Sequence, residues 1–321
     1  MTPGGRDQPG QPPLGRGPSG PAQPDLDQLA ADLARGLTQG PAAALAAAAE
    51  LLTGLRPMDP AAAAQVLGRE LAREGWAVPP PGPGDAPLAA ARELAARLAA
   101  LAARPACLGC GACCRASSPT LYLEDLDLLG PAGPGRSHFV TLRAGEWASS
   151  ARLGRSAPLT EELVKVREQP HGGGCVFRAA AGCAIYAQRP LQCRHLECWS
   201  GRHAGQLAHL PRLDRSAALA ADPTARALAA EWEMKFPAGE LAQALEAVRC
   251  GEKGAQAAAL AILEADHHLR QAVSSRYGYP AAELDLILGR AALDVARSHG
   301  LGLALDQAGA PRLTPLRPGS N

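Results

Sequence analysis

Apolar residues recur at helical spacing through both flanks of this chain, and the recurrence fails in the middle. From Asp25 to Leu37 they follow an acidic start and predict a helix. Pro41–Leu55 is alanine-rich and opens on a proline, a residue suited to a helix's first turn. Pro60–Glu74 continues the pattern. Pro87–Arg104 reads as an amphipathic helix with Leu88, Leu94, Leu98 and Leu101 as its apolar positions, and Pro105 ends it. From Cys107 to about Trp199 the pattern is short and irregular, with a short helix within Leu121–Leu129 and candidate strands at Val140–Leu142, Cys175–Phe177 and Cys183–Tyr186. Helical patterning returns over Thr224–Met234, Ala238–Arg249, Glu252–Ser275 and Ala281–His299, and the chain from Gly300 reads as coil.

The expected fold is therefore mainly α, with a small irregular, metal-stapled, cysteine-rich module containing few short strands and helical arms on both sides. Residues 1–24 are rich in Gly, Pro and Gln and are expected to be disordered. A helical segment spans 25–78. The PPPGPG run at 79–84 is a stiff linker, and residues 85–104 lead by a helix into the module at 105–200. A C-terminal helical region covers 201–299 and a tail 300–321. No solenoid repeat period is present.

Composition narrows the function. Lys and Arg total 32 against 31 Asp and Glu, which argues against a general electrostatic grip on nucleic acid or an anionic membrane. Aromatics are 3 %, too few for base-stacking platforms. The N-terminus shows no apolar signal region, and the longest apolar run is short and mostly alanine, so the expected location is the cytoplasm. Cytosolic thiols are kept reduced, which weakens a disulfide reading of the cysteines and strengthens a metal one.

Eight of the nine cysteines lie between Cys107 and Cys198, and four of them fall within CLGCGACC at 107–114. Cys107, Cys110 and Cys113 stand at the two-residue spacing that lets a tight turn aim successive sulfurs at one centre. Gly109 and Gly111 permit positive φ within that turn and expose N–H groups toward sulfur. The run is not completed as in a ferredoxin, because Ser117 stands where a fourth cysteine would, so a remote cysteine must supply that bond. Cys114 directly follows Cys113. In an extended segment the two would point to opposite faces, so they serve two centres or a polynuclear one; alternatively one of them is a small buried hydrophobe.

Cys175, Cys183, Cys193 and Cys198 form the second group. Pro190 suits a helix start, which places Cys193 in a first turn where the helix dipole favours thiolate. Cys198 follows at a spacing poor for one helical face, so either the helix ends before it or it serves a different centre. A tetrathiolate zinc site is doubly negative, and Arg115, Arg189 and Arg194 stand beside the ligands to offset it; an ordinary salt bridge is the alternative for Arg189. His195 is either a direct ligand or an exposed or supporting histidine. His267 and His268 fit a solvated helix face, His171 in HGGGC is ambiguous, and Cys250 reads as a structural or incidental thiol. No radical-cluster Cys-x3-Cys-x2-Cys, P-loop, GxGxxG after a strand or HExxH occurs, and no catalytic residue is assigned.

The joint pattern of CLGCGACC (107–114), CVF (175–177) and CAIYAQRPLQCR (183–194) resembles the CxxCxxCC cysteine-cluster family, the YkgJ-like zinc- or iron-chelating domains. The resemblance spans about residues 105–200. It implies Cys107, Cys110, Cys113, Cys114, Cys175, Cys183 and Cys193 as metal ligands. Cys198, within HLECW, lies outside the commonest form and suggests a subgroup with an eighth ligand. Flagellin lysine-N-methylases share such a cluster, but nothing here marks a methyl-donor site, so that activity is not carried over.

The function expected from these readings is a cytoplasmic protein holding zinc or an iron–sulfur cluster of the 4Fe–4S type, with a structural, redox or metal-handling role and a redox or protein partner. The alternatives are a cluster-containing modifying enzyme, methyltransferase-like for example, and a helical interaction adaptor. All-sulfur ligation serves zinc and iron–sulfur alike; the ferredoxin-like triplet and the Cys113–Cys114 pair lean toward iron–sulfur, the lack of aromatic shielding and a flexible chain lean back, and the sequence does not decide between them.

Overall fold

A computed structural model describes residues 25–78, 86–150, 155–170, 174–180, 182–198, 207 and 209–316. The expectations for residues 1–24, for the linker at 79–84 and for His171 lie outside the described residues. The fold is mainly α with a small irregular module. The chain divides into two compact units, residues 1–110 with 196–205 and residues 111–195 with 206–321. The boundary thus falls inside CLGCGACC.

The first unit is built on four helices, α1 (Leu26–Gln39), α2 (Pro41–Leu55), α3 (Pro60–Arg73) and α4 (Ala86–Ala103). Their ends follow local chemistry. Asp25 caps α1 by accepting from the N–H groups of Asp27 and Gln28, and Asp59 caps α3 from Ala62, with Pro60 in the first turn. α1 packs on α2 and α4, and α2 also on α3. The core is leucine and alanine, with Leu33, Leu52, Leu94 and Leu98 fully buried. Small residues let the helices approach: a Cβ on Gly36 of α1 would meet the Ala44 Cα of α2 at 3.0 Å. Leu108 and Cys110 pack on this same core, which anchors the first cysteine turn to the helices.

The second unit opens with α5 (Ala112–Ala116) and a 3-10 turn over Leu123–Leu129. β1 (Phe139–Leu142), β2 (Trp147–Ser150), β3 (Arg155–Pro158) and β4 (Leu163–Val166) make two small antiparallel sheets, β1 with β4 (Phe139 opposite Val166) and β2 with β3. β5 (Arg178–Ala179) and β6 (Gly182–Cys183) form a minimal hairpin that lines Cys183 up with Arg178. α6 (Leu191–Arg194) and α7 (Arg215–Ala218) are single turns, followed by α8 (Pro223–Lys235), α9 (Ala238–Arg249), α10 (Ala255–Tyr277), α11 (Leu284–Ile287) and α12 (Ala292–Ser298). One core gathers Leu121, Phe139, Val164, Leu213, Trp232 and Ile287, and Cys175 and Phe177 are part of it. The cysteine loops therefore rest on apolar packing as well as on their own turns.

Three local expectations change. Ala281–His299 is not one helix: Gly289 breaks it at φ +86, where a Cβ would strike Arg143 Cδ at 2.6 Å. The chain restarts at Ala292, whose N–H donates to Asp266 (2.9 Å). Residues 300–316 are ordered rather than coil. β7 (Leu301–Leu305) and β8 (Pro311–Pro315) pair antiparallel, with Leu301 and Leu313 buried against α9, α10 and α12. Asp306 closes the turn by accepting from Ala308 and Ala310, and Gln256 holds both backbone groups of Leu313. Cys175–Phe177 is a turn rather than a strand, and the strand at Cys183 ends there, before a 3-10 turn at Tyr186–Gln188.

Buried arginines replace aromatics as the ties among the helices of this unit. Glu233 takes both Arg143 (2.8 Å) and Arg215 (3.0 Å), while Arg270 joins Asp266 (2.9 Å) to Asp285 (3.0 Å). Among the described residues no helix is long and apolar enough to cross a membrane.

Candidate metal centre

The eight clustered cysteines divide between the units, Cys107, Cys110 and Cys198 in the first and Cys113, Cys114, Cys175, Cys183 and Cys193 in the second. None of the eight forms a disulfide.

In the first unit the Cys107 turn has the form its glycines suggest. Gly109 adopts φ +67, and its N–H donates to the Cys107 sulfur at 3.4 Å. Arg69 of α3 donates to the carbonyls of Leu108 (3.0 Å) and Gly109 (3.4 Å). Cys198 lies in a turn, because α6 has already ended at Arg194, and its sulfur is 3.9 Å from an Arg56 nitrogen.

In the second unit Cys113 and Cys114 are helical, not extended. Gly111 starts α5 in the left-handed region, and one tight turn places the two sulfurs 4.0 Å apart. The expected opposite-face geometry is therefore corrected. The Cys175 N–H donates to the Cys114 carbonyl at 2.7 Å, which fixes the second cysteine loop against α5. Gly174 makes that approach possible: its φ is +76, and a Cβ there would fall 2.0 Å from the Cys114 carbonyl oxygen. A reciprocal pair of bonds between Gln169 and Arg178 holds the other side of the loop (2.9 and 3.0 Å). Glu168 accepts from Ser118 and Lys165, and its backbone bridges to Cys175.

Cys193 sits in the first turn of α6, as Pro190 suggests. That helix is placed by two long-range contacts. Asp125 Oδ1 accepts from the Leu191 N–H (2.8 Å), and Gln192 Oε1 accepts from the Thr120 N–H (2.6 Å).

The electrostatics tie these sulfurs together. The contact with Cys114 pushes the Cys113 thiol far above its ordinary pKa, and burial adds to this. Burial raises Cys175, and Cys183, Cys113 and Glu168 push it the same way. Cys193 is pushed up to about 12, first by burial and then by Cys113, Cys175 and Cys183, with Arg189 partly offsetting them. Burial and the neighbouring sulfurs thus act against the thiolate form that a position in a helix's first turn favours. Four thiols, Cys113, Cys175, Cys183 and Cys193, lie near enough that ionising one opposes ionising the next.

That donor set fits zinc or iron–sulfur. A group of soft sulfurs that oppose one another's charge is relieved by a cation, and metal binding releases their protons. Among the described residues no three His, Cys, Asp or Glu side chains converge as an ion cage. The sulfurs are neighbours on fixed backbone, each one χ1 rotation from another staggered position.

The remaining candidates separate. Arg189 lies over the Tyr186 ring (3.9 Å), donates to the Tyr186 carbonyl (3.0 Å) and partly offsets the upward push on Cys193. Arg194 pairs with Asp125 at 3.6 Å, and the Arg115 guanidinium lies against Gly111. His195 is exposed, with Nδ1 3.1 Å from the Leu191 carbonyl. His267 and His268 are exposed on α10, and Cys250 is exposed at the end of α9, beside Glu246. Sequence reasoning missed Asp125, Glu168, Gln169, Gly174, Arg56 and Arg69. Only Gly174, within HGGGC, carried a visible signal.

Residues 106–210 match the CxxCxxCC family model. Its description is "Putative zinc- or iron-chelating domain". No curated protein and no solved structure matches the chain. The matched stretch takes in all eight clustered cysteines and the segments that position the sulfurs of the CxxCxxCC module, including Asp125, Glu168 and Gly174.

Proposed function

We propose that this chain is a cytoplasmic metal-binding protein that holds an iron–sulfur cluster or zinc through Cys107, Cys110, Cys113, Cys114, Cys175, Cys183, Cys193 and Cys198. The observation that carries the reading is the match of residues 106–210 to a zinc- or iron-chelating domain, with the Cys175 loop fixed against Cys114 by a 2.7 Å backbone bond. Bound zinc would act there as a structural staple; a cluster would supply one-electron redox chemistry. The residues of the chain present the sulfurs, offset their charge through Arg189, and shield Cys175 among Phe177 and its neighbours. All-sulfur ligation serves zinc and iron–sulfur alike, and the role is structural, redox or metal-handling.

The test is metal and inorganic sulfide content of protein purified without oxygen, with its visible spectrum. Iron with sulfide and a bleachable brown absorbance supports a cluster, and zinc with no colour supports a staple. Metal-free protein that is fully folded overturns both.

One observation favours a modifying enzyme as the second reading. An open cleft of about 810 Å³ in the second unit is lined by the Leu123–Leu129 turn, Arg136, Arg189 and Arg194, the last belonging to α6. That volume suits a small-molecule site. A thermal-shift panel of nucleotides and S-adenosylmethionine tests it; no shift with any of them removes it.

A further inference from the structure

Arg56 follows α2 directly and is 2 % exposed. Its guanidinium donates to the carbonyls of Ala102 (2.9 Å), Arg104 (3.1 Å) and Ala106 (2.9 Å), and the nitrogen that serves Ala106 also reaches the Cys198 sulfur at 3.9 Å. A buried guanidinium is costly unless its charge and its N–H groups are answered. The carbonyls at the end of α4 answer part of it, since a cation there meets the negative end of the helix dipole. Of these four partners only the Cys198 sulfur can carry a full negative charge. Arg56 thereby ties Ala106, the residue before Cys107, to a cysteine far along the chain. Arg69 holds the same turn from α3 through Leu108 and Gly109.

Resting on the metal-binding reading above, the geometry points to Arg56 as a positioning residue for the metal. It holds Cys198 beside the Cys107–Cys110 turn, one nitrogen serving both the Ala106 carbonyl and the Cys198 sulfur, which makes the N-terminal helical unit a working part of metal binding. Cys198 is then a ligand, and its affinity for metal depends on an arginine that touches no metal. Partners that hold a metal ligand in this way typically matter by about 10–100-fold in affinity.

The experiment is a thermodynamic cycle on the full chain. Zinc affinity is read by competition with a chromophoric chelator for wild type, R56M, R56K, C198S and the R56M/C198S double variant, beside the melting temperature of each metal-free protein. The expected result is that R56M weakens zinc binding at least about tenfold, R56K less. In the C198S background R56M weakens it no further, yet still lowers the metal-free melting temperature. Weakening of equal size in both backgrounds, or a lowered melting temperature with affinity unchanged, makes Arg56 a helix-end cap and overturns the proposal. So does a C198S variant that binds as wild type does. If R56M does not fold, R56K with cobalt carries the test. A thiolate-to-cobalt absorbance reduced toward that of C198S supports the proposal, and an unchanged one overturns it. Wild-type protein that binds no metal at all is a different failure, that of the metal-binding reading itself.

Discussion

The Asp125 carboxylate accepts the Leu191 backbone N–H at 2.8 Å, so a residue of the Leu123–Leu129 turn sets the start of the helix that carries Cys193. Its other oxygen accepts from Tyr122 (3.0 Å), and burial holds its pKa above the ordinary carboxylate value. Asp125→Ala leaves two buried N–H groups without their acceptor, at a cost of about 1–3 kcal/mol for each unanswered group. Metal affinity is expected to fall by about tenfold or more, because Cys193 loses its fixed backbone. Asp125→Asn, which keeps one acceptor oxygen, falls between. Chelator competition and urea unfolding measure the two effects separately.

Gly174→Ala tests the approach of the two cysteine loops. A side chain at φ +76 costs about 1–2 kcal/mol by itself. The added Cβ would also collide with the Cys114 carbonyl and with Arg115. The bond between Cys175 and Cys114 must then open. The expected outcome is a loss of more than about 2 kcal/mol in stability together with loss of metal, seen as a lowered urea midpoint and lowered metal per chain. Wild-type metal content in this variant would mean the loop contact is irrelevant to the centre.

Arg270→Met probes a part of the second unit remote from the thiols in sequence. It strands Asp266 and leaves Asp285 with Arg167 alone. Removing one partner of a buried ion pair typically costs about 3–5 kcal/mol. Metal affinity of the folded fraction is expected to stay at the wild-type value, which separates global stability from the centre.

Acid sensitivity is expected to run through Glu233. Burial alone would raise its pKa, but the guanidinium groups of Arg143 and Arg215 outweigh that and hold it below the ordinary value. A carboxylate depressed on folding adds stability above its unfolded pKa, about 4.3 for glutamate, and that stability is lost as pH falls through the folded value. Asp285 is shifted upward by burial and contributes with the opposite sign. The useful quantity is therefore the difference between wild type and Glu233→Gln. Their urea midpoints should draw together as pH drops below about 4, and parallel curves would exclude Glu233 as the source.

The helical arms were largely legible because their signals are local. Asp25 and Asp59 are caps by residue type, prolines open α2 and α3, and leucine spacing marks α4. Ala238–Arg249 is a helix over the whole span its pattern gives. The signals that failed are non-local. The break falls at Gly289, where Arg143, far along the chain, leaves no room for a Cβ. The β7–β8 hairpin is held in part by Gln256 of α10, which bonds both backbone groups of Leu313. The cysteine pattern marked which side chains carry chemistry but not their charge state. Cys193 lies in a helix's first turn, yet its thiol is raised by burial and then by sulfurs distant along the chain, neither of which spacing reveals. Asp125 and Arg56 carry no signal in sequence; burial and partners distant along the chain give them their roles.

The path of the chain through its two units bears on how such a protein can be divided. It leaves the first unit after Cys110, returns for a short passage at residues 196–205 that brings Cys198, and leaves again. A cut at residue 110 separates Cys107 and Cys110, with the helices they pack on, from Cys198 and the five cysteines of the second unit.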